Sequence, residues 1–130
     1  MDRAARRSIR TFRDLVAWQK AVDLTQLVYR ATRTFPSDEK FGLVSQMRRA
    51  AVTIPAKIAE GYGRGRRLEY IRYVEVARGS LFELQTHAEV ARRQGWLAAL
   101  VLHEFNQLAE EVDRILSGLL RSLKKTPSDP

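Results

Sequence analysis

A chain of 130 residues and 14.9 kDa holds one compact domain and not two ordinary ones, and its 45% hydrophobic content is that of a globular core. It has no Cys, which excludes disulfide scaffolds, thiolate metal sites and Cys nucleophiles. Its net charge of +8, from 23 Lys and Arg against 15 Asp and Glu, suits polyanionic partners: nucleic acid, anionic lipid or an acidic protein.

Residues 1–11 are expected to be a disordered basic arm that carries Arg3, Arg6, Arg7 and Arg10. Residues 12–124 are expected to form the folded domain, and 125–130 a flexible tail. The first helical stretch runs from about Arg13 to Phe35. Ala17, Ala21, Leu24, Val28, Ala31 and Phe35 recur at steps of four and three, which puts them on one face. Leu15, Trp18, Val22 and Tyr29 form a second stripe beside it, so the apolar arc is wide enough to bury two sides. Pro36-Ser37-Asp38 ends the stretch.

The second stretch, about Phe41 to Glu60, has Leu43, Met47, Ala50, Ile54 and Ile58 as its core stripe. Pro55 lies inside it, and a kink rather than a helix end is expected there. Gly61-Tyr62-Gly63-Arg64-Gly65-Arg66-Arg67 reads as the link that follows. In the third stretch, about Leu68 to Gln94, Tyr70, Val74, Ala77, Leu81, Leu84, Ala88 and Ala91 make a heptad-like seam, with Gly95 placed as its C-cap. The fourth, about Leu97 to Leu123, presents Leu97, Val101, Phe105, Leu108, Val112, Ile115 and Leu119, widened by Leu116, Leu120 and Leu123. No run alternates with period two, so the fold class is all-α. Four helices joined by short links predict an antiparallel four-helix bundle.

The charge is unevenly spread. Residues 1–13 hold five arginines against Asp2, a net +4. Residues 46–72 hold seven cations against Glu60 and Glu69, a net +5. The segment from Arg121 onward adds +2, whereas 96–120 is net −3 and the remaining segments balance. Most of the surplus is Arg, the side chain suited to bidentate phosphate contacts.

Little in the chain points to catalysis. Leu84 and Leu100 stand three residues before His87 and His103, so the Glu-x-x-His pairs of a di-iron bundle are missing. There is no His-Glu-x-x-His, no Walker A loop and no Gly-x-Ser-x-Gly elbow. No metal, no cofactor and no enzymatic activity are expected. No uncharged stretch approaches the ~20 residues that span a bilayer, and no apolar signal core follows the N-terminal arginines, so the cytoplasm is the expected compartment.

The candidate functional residues are therefore cations. Arg64, Arg66 and Arg67 fall in the Gly-rich link, where they repel one another unless an anion is near. That link reads equally as a helix cap with a tight turn or as a loop that reaches phosphates. Arg48 and Arg49 lie mid-helix, as a solvated flank, as ion-pair partners of Glu60, Glu69, Glu75 or Glu83, or as phosphate contacts. Arg6, Arg7 and Arg10 of the arm complete the set. Trp18 reads as a core or interface anchor, and Trp96 as a cover for one end of the bundle.

Several runs resemble a known family. They are Phe12-Arg13-Asp14-Leu15-Val16-Ala17-Trp18-Gln19-Lys20-Ala21, then Phe35-Pro36, then the stretch from Gly42 through Gln46-Met47-Arg48-Arg49-Ala50-Ala51-Val52-Thr53-Ile54-Pro55 to Glu60-Gly61. Arg64, Glu69, Tyr70, Tyr73, Ala77, Gly79-Ser80 and Glu83 continue the likeness, which spans roughly residues 12–122. The family is the bacterial four-helix bundle proteins noticed as reading frames within intervening sequences of 23S rRNA genes. The resemblance implies an antiparallel bundle that assembles into a ring, commonly a homopentamer. It also implies kinship with the accessory protein of diversity-generating retroelements, a basic bundle that works with a reverse transcriptase and nucleic acid. It implies no known activity and supplies no catalytic residues. His87 and the Arg-rich arm depart from the family pattern. Binding of RNA or DNA through phosphates is the leading expectation, with a protein-interaction scaffold as the alternative.

Overall fold

The periodic stripes become helices in the order the sequence predicts. The computed structural model describes residues 8–125, and among these there are four α-helices and no strand: α1 Val16–Thr32, α2 Leu43–Arg64, α3 Arg67–Arg93 and α4 Ala99–Lys125. Short 3-10 turns at Phe12–Asp14 and Ser37–Glu39 precede α1 and α2. Each helix packs on its neighbours in the chain, and α4 closes the ring against α1. Consecutive helices run antiparallel: Arg48 early in α2 meets Thr32 at the end of α1, Arg64 at the end of α2 meets Tyr73 early in α3, and Arg67 at the start of α3 meets Leu123 near the end of α4. The outer pair is antiparallel too, since Lys20 near the start of α1 pairs with Glu111 of α4 while Phe35 beyond the end of α1 meets Trp96 just before α4.

The core is almost wholly aliphatic. Ala21, Leu24, Ala51, Ile54, Ile58, Val74, Ala77, Leu81, Leu84, Val112 and Leu116 are fully buried. Every residue of the α3 seam except half-buried Tyr70 is buried. The α4 face differs from the expected one. Its buried residues are Phe105, Ala109, Val112, Leu116 and Leu120, and Leu108, Ile115 and Leu119 are only flanking. Both sets recur at steps of three and four, so periodicity in a leucine-rich helix does not say which one faces the core.

On α1 the first stripe is buried apart from half-buried Ala31, but Leu15, Trp18, Val22 and Tyr29 are only half-covered. Val22 and Tyr29 line a surface groove of about 280 Å³ together with Val52 and Pro55 of α2. The end of α1 also comes earlier than expected. After Arg33, Phe35 folds back into the core and stacks obliquely on Trp96 at 5.7 Å.

The largest difference lies around residues 61–67. The helix does not stop at Glu60 but continues through Arg64, and the link shrinks to Gly65-Arg66. Gly65 has φ +75, a left-handed position where an L side chain is strained, so it stops α2 sharply. At Gly95, φ is +80 and the Trp96 N–H returns to the Ala91 carbonyl, a Schellman-type end for α3.

Pro55 neither breaks nor ends α2. Having no N–H, it leaves the Ala51 carbonyl without its intrahelical donor. The hydroxyl of Thr25 on α1 fills that role, 3.0 Å from the Ala51 oxygen and 2.9 Å from its own Ala21 carbonyl. Its single hydrogen is shared between the two. Thr25→Val should therefore destabilise the fold by about 1–2 kcal/mol in denaturant titration, the cost of a polar group left unsatisfied. The added cost should largely vanish in a Pro55→Ala background, where residue 55 supplies its own N–H. Equal losses in the two backgrounds would rule this pairing out.

Candidate functional site

The topology collects the charge. Residues 8–20, 57–75 and 111–125 all lie in the half of the bundle where α1 begins, α2 ends, α3 begins and α4 ends. Three contacts tie these segments together. Arg67 Nη1 donates to the Leu123 carbonyl at 3.1 Å, Lys124 pairs with Glu75 at 2.9 Å, and Lys20 pairs with Glu111 at 3.4 Å. This half holds twelve basic residues against six acidic ones, a net of +6. Residues 21–56 and 76–110, the other half, hold eight against seven, a net of +1.

Local chemistry sets the details. Thr11 caps the Phe12–Asp14 turn in a capping box: its side chain accepts from the Arg13 N–H, and Asp14 accepts from the Arg10 and Thr11 N–H groups. Phe12 then meets Trp18 edge-on at 5.2 Å, and Arg13 lies over the Phe12 ring. Arg10 is thereby held at the basic half with no acidic partner for its side chain among the described residues. Arg6 and Arg7 lie outside the described residues.

Gly61 is buried against Tyr73, so closely that a Cβ there would stand 2.6 Å from Tyr73 Cβ. The last turns of α2 consequently press onto the first turns of α3. Tyr62 meets Tyr70 edge-on at 6.1 Å. The Tyr70 hydroxyl is buried without a hydrogen-bond partner among the described residues, and burial pushes its pKa up.

The three link arginines have three different surroundings. Arg64 stands in the last turn of α2, not in a loop; its Nη2 donates to the Tyr73 hydroxyl at 2.9 Å and lies 3.5 Å from Glu60. Arg66 is 76% exposed and pairs with Glu69 at 3.5 Å. Arg67 is half-buried and satisfies a carbonyl in the last turn of α4. The mutual repulsion expected of them is relieved within the chain by Glu60, Glu69 and that carbonyl. Lys57 at 3.2 Å, with Tyr73 and Arg64, holds the Glu60 carboxyl below its usual range.

Arg48 and Arg49 belong to the opposite half and are not brought near Arg64–Arg67. None of the expected glutamates pairs with either among the described residues. Arg48 instead binds the end of α1: its Nε donates to Thr32 Oγ1 at 2.9 Å, its Nη2 to the Tyr29 carbonyl at 3.3 Å, and its guanidinium lies 4.5 Å from the Tyr29 ring centre. That is a favourable place for a cation, at a helix C-terminus. Arg49 is exposed, and its side chain has no partner among the described residues.

Arg72, Arg114, Arg121 and Lys125 were not singled out from the sequence. All four are exposed in the basic half without an acidic partner among the described residues. With Arg10 and Arg13 they account for the +6. The segment charges held the signal for most of them, since the strongly basic stretches fall at one end of an antiparallel bundle.

Other chemistry is sparse. His87 Nε2 lies 3.2 Å from Glu83 on a helix flank, and His103 is exposed. Among the described residues no three His, Asp or Glu side chains gather as a metal site, and no helix is long and apolar enough to cross a membrane.

The family model described as 23S rRNA-intervening sequence protein matches residues 13–118. Among curated proteins none matches. A solved structure from Bacteroides thetaiotaomicron, a protein of unknown function from the S23 ribosomal protein family, superposes with a TM-score of 0.74. The two share 18% identity, and the match covers 81% of this chain and 98% of that one. At that identity the likeness establishes the fold alone.

The two neighbouring arginines should separate on mutation. Arg48→Ala should cost about 1–2 kcal/mol in denaturant unfolding, because it strips a charged donor from the end of α1. Arg49→Ala should stay within about 0.5 kcal/mol of the parent. Equal costs would contradict the assignment of Arg48 as a helix-end donor.

Proposed function

The chain belongs to the 23S rRNA-intervening sequence protein family, and from that premise we propose that it is a non-enzymatic, oligomeric bundle that binds RNA or DNA in the cytoplasm through phosphate contacts. The family description names an intervening sequence of 23S rRNA and no activity. One observation carries the reading: the charge is segregated, with +6 in one half of the bundle and +1 in the other. Stability alone does not call for such crowding, and a polyanion would relieve it. Arg10, Arg13, Arg72, Arg114, Arg121 and Lys125 supply cations that no acidic side chain occupies among the described residues, and Arg66 is exposed enough to exchange partners. Contacts of this kind position a nucleic acid without reading its bases, so binding is salt-dependent and weakly sequence-specific.

The half-covered stripe of α1 and its groove with α2 support assembly, since Val22, Tyr29 and Val52 leave apolar surface open. A homopentameric ring, as the family resemblance implies, would repeat the basic half around a common axis. A second reading, a scaffold whose cations serve internal or partner contacts, has its own support: Arg64, Arg66 and Arg67 are already engaged within the chain.

Two measurements test the proposal. Light scattering at tens of micromolar should give an oligomer, and a monomer would remove that part. Replacing Arg72, Arg121 and Lys125 together by Ala should lower the magnitude of the log K against log salt slope by about two to three units per bound subunit, because each phosphate contact contributes about 0.7 to 0.9. The fold should survive, since none of the three lies in the core. An unchanged slope would move binding elsewhere on the chain. Absence of binding to mixed RNA and duplex DNA at low salt would favour the scaffold.

A further inference from the structure

Lys57, Glu60 and Arg64 fall on one face of α2, and Tyr73 of α3 faces them across the contact made possible by Gly61. The two oxygens of one carboxylate meet two different cations: Oε1 lies 3.2 Å from Lys57 Nζ, and Oε2 lies 3.5 Å from Arg64 Nη2. Arg64 Nη2 also donates to the Tyr73 hydroxyl at 2.9 Å, which leaves the hydroxyl hydrogen free to point at an anion. Lys57 Nζ and Arg64 Cζ lie 5.4 and 5.2 Å from the Tyr73 ring centre, so the ring steadies both cations. Two cations thus hold one singly charged group with two terminal oxygens, and the Tyr73 hydroxyl bound to one of them stands beside it as a further donor. A phosphodiester has the same charge and the same pair of free oxygens.

We propose that Lys57, Arg64 and Tyr73 form a phosphate-binding site for a nucleic-acid backbone, which the Glu60 carboxylate fills in the free protein and yields to an incoming phosphate. This rests on the nucleic-acid reading above and gives it an address. Two further features favour exchange. The carboxylate is exposed, at 41% of its side-chain surface, and ion pairs between exposed groups are weak in water, so giving one up costs little. Beside it, Arg64, Glu69, Arg72, Tyr73 and Val76 line an open groove of about 330 Å³. Arg72 in that groove has no acidic partner among the described residues, while Glu69 is drawn toward Arg66 at 3.5 Å. A phosphate that displaces Glu60 therefore gains a further cation that Glu60 does not engage. Glu60 is an internal competitor that sets the affinity of the site.

The test is Glu60→Gln, which keeps the shape and removes the charge. Fluorescence anisotropy with a labelled mixed-sequence RNA oligomer, repeated across salt concentrations, reads both affinity and slope. With its cations unmasked, the variant should gain about one phosphate contact. That steepens the slope by about 0.7 to 0.9 and tightens binding roughly five- to ten-fold at 0.1 M salt. Glu104→Gln makes the same change in net charge on the opposite half, at an exposed residue without a cationic partner among the described residues, and should alter affinity by no more than about two-fold. Adding Arg64→Ala to Glu60→Gln should erase the gain. Should Glu60→Gln disturb folding, as its melting temperature would reveal, Arg64→Ala in the parent chain serves instead and should weaken RNA binding with a shallower slope.

Parent-like binding by Glu60→Gln would overturn the site and leave the general reading intact. So would an equal gain in Glu104→Gln, or a gain that survives loss of Arg64. Inorganic phosphate is the second arm. Tight binding of free phosphate by Glu60→Gln without any gain for RNA would make the site one for the free ion and overturn the backbone assignment. No RNA binding by parent and variant alike would remove both this site and the reading it rests on.

Discussion

The junction of α2 and α3 in the basic half depends on α2 passing through Pro55 without a break. A proline removes a donor from the middle of a helix, and the intrinsic penalty is ~3 kcal/mol relative to Ala. The helix survives because the stripe continues across it, with Ile54 and Ile58 both fully buried, and because Thr25 reaches over from α1 to the carbonyl that Pro55 leaves unserved. Were α2 to stop there, Gly61 would not reach Tyr73 and the face shared by Lys57, Glu60 and Arg64 would not form. A hydroxyl on one helix thus sustains the geometry of charged residues two turns further along another.

Gly61 is the second constraint. In a Gly-rich run with three arginines, three glycines suggest a flexible loop. The structure gives each a different situation: Gly61 is buried against Tyr73, Gly63 is an open helical position, and Gly65 holds the left-handed turn. Only Gly65 acts as a link. Flexibility is therefore not what presents Arg64; a rigid helix end is, and its guanidinium is set against a tyrosine ring and a carboxylate.

Most of the architecture was legible. Periods of three and four residues located all four helices, and most residues of the expected α1, α2 and α3 stripes are buried. Leu43 of the α2 stripe is only half-buried, and Leu27, Val44, Ala51 and Ile71 join the core from beside the stripes. The misses have physical causes. On α4 two overlapping stripes share helical spacing, Phe105-Leu108-Val112-Ile115-Leu119 and Phe105-Ala109-Val112-Leu116-Leu120, and periodicity does not choose between them. The site was less legible, because the partner of a charged residue is a tertiary fact. Arg48 and Arg49 are adjacent in sequence, yet one caps α1 and the other faces solvent. Arg67 looks like a free cation and is bound to a carbonyl fifty-six residues away. What could have been foreseen is the pole itself. An antiparallel bundle brings the start of α1, the α2–α3 junction and the end of α4 together, and those are the basic segments.

That pole sets stability and function against each other. Six cations without acidic partners among the described residues repel one another across one half of a small domain, and self-repulsion of this kind weakens the compact state. The chain limits the cost with what acids it has: Glu60, Glu69, Glu75 and Glu111 each pair with a neighbouring cation. Each such pair also removes a cation from service. Net charge that is left unpaired costs stability and attracts polyanions; charge that is paired does neither. Added salt screens both effects, easing repulsion within the fold while loosening any bound phosphate backbone. A carboxylate as exposed as Glu60 sits between the two states, since it quiets Lys57 and Arg64 in the free protein and is held weakly enough to leave.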